Sequence, residues 1–565
     1  MFLSKNYCIT FTAYCLLFTA YSFSQENRNS GFSKPVNLPF NLAGSFGEPR
    51  KDHFHSGIDI KTNGVEGEPV FAIGDGYISR IKVSPYGYGK VIYITHTNGF
   101  TSVYAHLSTF YGAIEKYIHS QHYVQQKSEL DLILDATIFR VKQNDTIAFS
   151  GNTGGSSAPH LHFEIRNTKT EHALNPLDFY PKEFYVDTIP PQINRIKFYS
   201  VLNSFYNCYE SASYNLLKDS NYYTTTHPTD IKTELFGISV EGFDKQDSSA
   251  SKNGIYRIRV LCNDKILFQY TLNEIDFDKT RMCNLFFDYY EQQHANGYYY
   301  STIKLPRNKL PIYDTINNNG LIDTKSAIKY GVQIELYDCN LNKSTIKLSF
   351  THNDTFIVRS LGFDSINIRK NKISSNFFKI EFPNDAFYDN IDIIYFAKKT
   401  TQKNVLSDTY EVAKDWLIPL HKPASIQFKS SIKKNRNKIV VVRQNHKGNE
   451  TALKTTFDKN KFYAETKELG SFYLKYDTMK PTVTIVDSNF AVRNTIYALL
   501  KDNLSGINTY NGYIDNKWVN FYYDAKNDVI QYNFDEYCSK GEHLLKIIVT
   551  DIVGNKTMVQ QKFNY

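Results

Sequence analysis

His53-Phe-His-Ser-Gly-Ile-Asp59 and Pro159-His-Leu-His-Phe-Glu-Ile165 are the two stretches from which this 565-residue chain is best read. In an extended strand side chains alternate between faces, so His55, Gly57 and Asp59 are expected on one side of the first stretch. By the same rule His160, His162 and Glu164 share a face of the second. Two short β segments then bring an imidazole and a carboxylate against two further imidazoles. A nitrogen, nitrogen, oxygen donor set with room for a water is what a catalytic zinc takes; structural zinc sites usually close with four protein ligands, often cysteine. A single strand histidine is more commonly a surface or satisfied core residue. Two such motifs in one region point instead to a metal centre. The polar loop Gly151-Asn-Thr-Gly-Gly-Ser-Ser157 runs into His160; it has no P-loop lysine and opens a strand, not a helix, which argues against a phosphate cradle.

Around these motifs, residues 41–184 read as short strands and turns. Pro69-Val-Phe-Ala-Ile73 and Gly76-Tyr-Ile-Ser-Arg-Ile-Lys-Val83 alternate, and the strands Lys90–Thr95 and Thr101–His106 flank Asn98-Gly99, a strong hairpin signal. The hairpin carries His106 to a strand end, with His96 on the opposing arm. Residues 110–134 interrupt the pattern with a short helix through Ile114, Tyr117 and Ile118 and then a Leu/Ile strand, an expected insertion near the cleft. His119 and His122 lie on that helix and are read as a solvated face. Strand, turn and strand resume over Val141–Phe149.

Beyond Tyr180 the character changes. Asp187-Thr-Ile-Pro-Pro191 recurs as Asp477-Thr-Met-Lys-Pro481, and Tyr337-Asp-Cys-Asn-Leu-Asn-Lys343 recurs as Thr550-Asp-Ile-Val-Gly-Asn-Lys556. The repetition predicts β-sandwich modules over 185–355 and 477–565, with a third sandwich over 356–476 carrying alternating strands such as Phe377–Phe382. The chain is thus expected to be mainly all-β, in line with about three to five domains from length alone. Its 43 Tyr and 40 Phe against 2 Trp favour strand over helix.

Residues 1–24 read as a secretory signal: Lys5 in the n-region, an apolar run from Ile9 to Phe18, and Ser22-Phe-Ser24 before Gln25. Residues 25–40 form a polar lead-in. No later apolar stretch reaches the length of a membrane span. The formal charge of +8 falls to about +7 when Lys5 leaves, a mild excess that suits a polyanionic envelope and equally serves simple solubility. Nothing points to nucleic acid. Cys208, Cys262, Cys283 and Cys339 fall in one module and can pair in up to two disulfides in an oxidising compartment; Cys538 is left over, and no CxxC suggests a cysteine zinc site.

His55-x-x-x-Asp59, Tyr104-Ala-His106-Leu and His160-Leu-His162, with the Gly-Asn-Thr-Gly loop before the last, resemble the lysostaphin/LytM-type zinc metallopeptidases that cut peptidoglycan peptides. The resemblance covers residues 40–180 and finds the three motifs in order. It implies that His55, Asp59 and His162 bind one zinc ion and that His160 and His106 act as catalytic residues in a groove. The implied fold is a compact antiparallel β core. His53 lacks the spacing to Asp59 and is read as outside the ligand set. The chemistry agrees: a neutral histidine can take a proton from water and pass it to a leaving amine, typically worth about 10²–10⁴-fold.

The reading that follows is a secreted zinc metalloendopeptidase of the periplasm or cell envelope, hydrolysing cross-link or stem peptides, with a D-alanyl to diaminopimelyl bond favoured over a glycine bridge. The alternative is a non-enzymatic wall-binding or scaffold protein with a peptidase-like fold. The complete His/Asp/His set with two spare histidines separates the two, since a binding module has no use for it. The sandwiches are expected to space the catalytic domain, to engage the wall or an envelope protein, or to cover the groove.

Overall fold

The alternation of Ile58–Lys61 and His160–Asn167 puts apolar residues on the buried face and histidine and carboxylate on the other, and strand register then decides which of them meet. The computed structural model of the chain describes residues 31–565, apart from 201–208, 226–234, 248, 295–297, 306, 327–328, 352–370, 389–392, 394, 401, 403, 414–417 and 487–489. Residues 1–24, read from the sequence as a signal, and Cys208 therefore lie outside the described residues.

The main sheet of the N-terminal region runs Leu42–Gly44, Ile58–Lys61, His160–Asn167, Phe100–Ala105, Lys90–His96, Gly76–Val83 and Leu130–Ile133, each pair antiparallel. Ile58, Ile60, Leu161, Phe163 and Ile165 are fully buried beneath it. The Asn98-Gly99 hairpin forms as expected, with Thr95 opposite Thr101 and Gly99 taking the left-handed φ of 86° that the turn requires. A smaller sheet orders Pro69–Phe71, Thr146–Phe149 and Thr109–Phe110.

The segment 110–134 folds as a helix, Ala113–Gln125, and an edge strand, Leu130–Ile133. Ile114, Ile118 and His122 are buried at a spacing of four, so one stripe of the helix faces the core. Two expectations change here. The edge strand closes the end of the sheet opposite Asp59 and does not wall the cleft. His122 is buried, its Nδ1 2.7 Å from the Lys127 carbonyl, so only part of that helix face is solvated.

Residues 185–355 do not stand apart from the peptidase-like region. Ala173–Leu174 pairs with Glu274–Ile275, and Phe54 packs edge-on against Phe286 with centroids 5.5 Å apart. One continuous apolar core runs from Val36 to Phe350 and takes in Tyr388 as well. Apart from Glu274–Ile275, the strands of 185–355 form one eleven-stranded sheet, ten of them in a single path with Ile322–Asp323 pairing off it. In that path the long strand Tyr209–Asp219 pairs with Gln192–Ser200 on one side and Tyr222–Thr225 on the other. Residues 372–476 form two five-stranded sheets and 482–564 two four-stranded sheets, each pair around its own core. The repeated motifs occupy equivalent places. Asn342 Nδ2 donates to the Asp187 carbonyl (2.8 Å) and to Asp338 Oδ2 (2.7 Å), as Asn555 Nδ2 does to the Asp477 carbonyl (3.1 Å) and Asp551 Oδ2 (2.7 Å).

Cys262, Cys283, Cys339 and Cys538 are free thiols, which corrects the expected disulfides. Cys262 lies in the Arg257–Cys262 strand, while Cys283 is buried in the 3₁₀ turn Thr280–Leu285. Among the described residues no helix is long and apolar enough to cross a membrane.

Candidate metal centre

The register sets His162 directly opposite Asp59. Directly opposed residues of an antiparallel pair project from the same face. Asp59 Oδ1 and His162 Nδ1 are 2.9 Å apart. His55 completes the group, its Nε2 3.0 Å from Asp59 Oδ1 and 3.0 Å from His162 Nδ1. His55 reaches this place from a loop, since the strand begins only at Ile58. That loop is tied by Gly47 N donating to the His55 carbonyl and His55 N donating to the Glu48 carbonyl, both at 2.8 Å. Gly57 lets the chain pass the neighbouring strand, because a Cβ there would lie 2.4 Å from the Phe163 carbonyl oxygen.

Three lone-pair-bearing atoms converging at 2.9–3.0 Å in a buried pocket suit a cation. Ligands about 2.0–2.2 Å from a tetrahedral zinc lie about 3.3 Å apart, so the set needs to open by only a few tenths of an ångström. The outer nitrogens are fixed as metal-binding imidazoles require. His55 Nδ1 donates to the Ser45 carbonyl (2.8 Å), and His162 Nε2 donates to Glu164 Oε1 (2.9 Å).

Glu164 is fully buried and also accepts from Ser56 Oγ (2.6 Å), from the Tyr88 hydroxyl and, on Oε2, from Arg166 Nε (2.6 Å). Arg166 in turn lies 4.4 Å from the Phe277 ring of the next module. Burial opposes the charge on Glu164, but Arg166 and His162 outweigh it and hold the carboxyl below its ordinary value. Burial likewise opposes ionisation of Asp59, and the adjacent imidazoles of His55, His160 and His162 hold it well below the usual range. Burial disfavours a charged His162, yet Asp59 and Glu164 raise it to about 9, so a proton sits where a metal would compete for the same lone pair.

The other two predicted residues face the same pocket. His160 Nδ1 is 2.8 Å from the Ala158 carbonyl, leaving Nε2 3.3 Å from Asp59 Oδ1. His106 Nδ1 is 2.8 Å from the Thr153 carbonyl, and its ring centroid lies 4.9 Å from that of His160 and 5.8 Å from that of His162. Burial, reinforced by His162 and His160, pushes His106 down to about 3, so it is neutral. It also holds φ at 59°, a left-handed backbone that a non-glycine residue adopts only when its surroundings enforce it. His53 is exposed and turns to Asp52.

Glu164 had a legible signal, lying two residues beyond His162 on the same face. Ser45, Tyr88 and Thr153 had none, since they act from loops through backbone carbonyls or one hydroxyl. The C-terminal module was equally invisible here. Lys526 Nζ donates to the Asn152 carbonyl and to the Ser156 carbonyl (3.1 Å), clasping the glycine-rich loop on which Thr153 lies. The helix Ala113–Gln125 supplies the docking post. Tyr123 stacks on Tyr537 at 3.6 Å, and His119 Nε2 lies 3.1 Å from Asp535 Oδ2.

These residues lie in the part of the chain that is similar to known metallopeptidases. The family model described as Peptidase family M23 matches residues 53–130 and 111–176, and the model of the Zu5-like domain matches residues 367–477. Among known proteins, the DD-carboxypeptidase/endopeptidase Mpg of Neisseria meningitidis is 35% identical over 112 residues, 20% of this chain and 20% of its own length. The glycyl-glycine endopeptidase ALE-1 of Staphylococcus capitis is 30% identical over 185 residues, 32% of this chain and 41% of its own. The catalytic domain of lysostaphin from Staphylococcus simulans is 28% identical, covering 24% of this chain and 87% of that one, with a TM-score of 0.18. The chain spans about a fifth of the length of the first of these relatives. The family and the relatives named metalloproteases imply a metal cofactor.

Proposed function

We propose that the chain is a zinc-dependent endopeptidase that acts in the cell envelope and hydrolyses peptide bonds of peptidoglycan. The observation that carries this reading is the convergence of His55 Nε2, Asp59 Oδ1 and His162 Nδ1 beside His160, whose Nε2 lies 3.3 Å from Asp59 Oδ1, and His106, whose ring lies 4.9 Å from that of His160. The endopeptidases named among the relatives support the substrate class, and the apolar segment within residues 1–24 supports export. His55, Asp59 and His162 would hold the zinc, which when bound would supply Lewis acidity and lower the pKa of water to about 7.

The chain's own residues do the rest. Glu164 and the Ser45 carbonyl orient the two ligand imidazoles. His160, less enclosed than His106, keeps Nδ1 on the Ala158 carbonyl and uses Nε2 to accept the water's proton and return it to the leaving amine. His106, neutral and locked to the Thr153 carbonyl, orients the water from the other side.

The test is incubation of the purified mature chain with peptidoglycan sacculi, with and without chelator, alongside His162→Ala, and mass spectrometry of released fragments. New peptide termini that vanish with chelator and with the substitution are expected. Intact sacculi from a zinc-loaded chain would overturn the reading in favour of a scaffold.

A further inference from the structure

Where the peptidase domain joins the first sandwich, Asp187, Asp244 and Asp338 come together from three separate parts of the chain. Each offers an oxygen, the three lying within 4.8 Å of one another, and the residues are only 6%, 2% and 1% exposed. Asp187 opens the repeat motif, Asp244 follows the strand Leu235–Phe243, and Asp338 follows the strand Lys329–Tyr337. Two further observations ask for a ligand. Asp244 Oδ1 is buried with no hydrogen-bond partner. Asn253, 2% exposed, has neither side-chain atom partnered. Asp244 and Asn253 exchange backbone hydrogen bonds in both directions at 2.9 Å, an opposed antiparallel pair whose side chains project to the same side. The amide of Asn253 is thus aimed alongside the unpartnered carboxylate.

We propose that these residues form a structural calcium site, with Asp187, Asp244 and Asp338 as carboxylate ligands and Asn253 contributing its amide oxygen. Calcium takes oxygen ligands at about 2.3–2.6 Å, so two oxygens of one shell lie up to about 5 Å apart; magnesium at about 2.0–2.1 Å demands a tighter set. Without a cation the cluster is costly. Burial, and then the neighbouring carboxylates, push Asp244 up to about 9, and burial raises Asp338 to about 7 and Asp187 to about 6. Tyr185 and Cys339 share the surroundings and add no cation.

The C-terminal module is an internal comparison. Its counterparts, Asp477 and Asp502, accept from the backbone amides of Ser505, Leu504 and Gly506, much as Asp187 accepts from Ile189 N and Asp338 from Asn342 N, and Asp477 Oδ1 and Asp502 Oδ1 are likewise buried without a hydrogen-bond partner. What separates the two aspartate groups is convergence: of the two, only Asp187, Asp244 and Asp338 bring their oxygens within 4.8 Å of one another. The site also matters to its neighbours. Two residues past Asp244, Gln246 accepts from Leu42 N (3.0 Å) and donates to the Phe40 carbonyl (2.8 Å), bracing the strand that pairs with the one bearing Asp59. An ion there ties the sandwich to the floor of the peptidase domain.

The inference stands independently of the hydrolytic activity and is tested on the full mature chain saturated with zinc. Bound calcium after gel filtration is expected at about one ion per chain. Terbium, an ion of calcium's size, is expected to show tyrosine-sensitised emission through Tyr185, whose hydroxyl is 3.4 Å from Asp187 Oδ2. Calcium and not magnesium should displace it. Asp244→Asn and Asp338→Asn should each lower calcium content and emission at least tenfold while zinc content and the circular dichroism spectrum stay as in the wild type. A wild-type chain that retains no calcium from millimolar solution overturns the proposal whatever the variants do. So does calcium content unchanged by both substitutions.

Discussion

Glu164→Gln keeps the shape of the side chain beside His162 and removes its charge. Because Glu164 fixes which imidazole nitrogen faces Asp59, the substitution is expected to weaken metal affinity about 10–100-fold, measured by competition with a chromophoric chelator. His160→Ala and His106→Ala should each keep the metal and lower kcat by about 10²–10⁴-fold, read as turnover of a peptidoglycan-derived peptide at saturating zinc. An equal loss of metal from either would remove that residue from the proton-transfer role. Gly57→Ala has a steric consequence alone: its Cβ meets the Phe163 carbonyl at 2.4 Å, and a loss of about 1–3 kcal/mol in unfolding free energy is expected from urea titration. At this scale the sequence was most readable. The five candidate site residues stand out in the sequence through motifs and their family resemblance, and the structure brings them to one pocket, whereas the groups that aim them, the Ser45, Thr153 and Ala158 carbonyls, carry no side-chain signature at all.

Among the elements, the helix Ala113–Gln125 and the strand Leu130–Ile133 were visible as an interruption of the β pattern, but the use of the helix was not, because it depends on a partner some four hundred residues away in sequence. Tyr123→Ala removes the stack on Tyr537 and the hydrogen bond to Asp535, and should loosen the C-terminal module by about 0.5–1.5 kcal/mol beyond the lost area. Limited proteolysis that releases residues 477–565 more readily would report it. The same helix carries a pH response. Burial lowers the pKa of His122, opposed by its bond to the Lys127 carbonyl, while Lys90 and His119 lower it and Glu115 raises it. The unfolded chain therefore binds the proton more readily than the folded one, and stability is full above about pH 6.5 and falls as the pH drops through the depressed folded value. His122→Gln, able to keep the Lys127 bond, should flatten the melting temperature of the chain below pH 6.5 relative to wild type. The short β elements of the first module were legible individually; its merger with the peptidase domain was not, since Phe54 against Phe286 and Leu174 beside Glu274 are pairings between distant segments that no local pattern encodes.

For the molecule as a whole, the shared core from Val36 to Phe350 means that residues 185–355 cannot be removed without stripping the floor from the peptidase domain. Removing 477–565 is the informative truncation. Metal content should persist, while the glycine-rich loop loses Lys526 and the carbonyl of Thr153 no longer holds His106 firmly, lowering kcat by up to about 10²-fold. Lys526→Met should reproduce most of that loss. The clasp also imposes an order in time. Lys526 follows Asn152 by 374 positions, so a chain emerging from its N-terminus presents the histidines and the aspartate long before the residue that braces their loop. A chain made in that order holds its glycine-rich loop unclasped until the last module has arrived and folded.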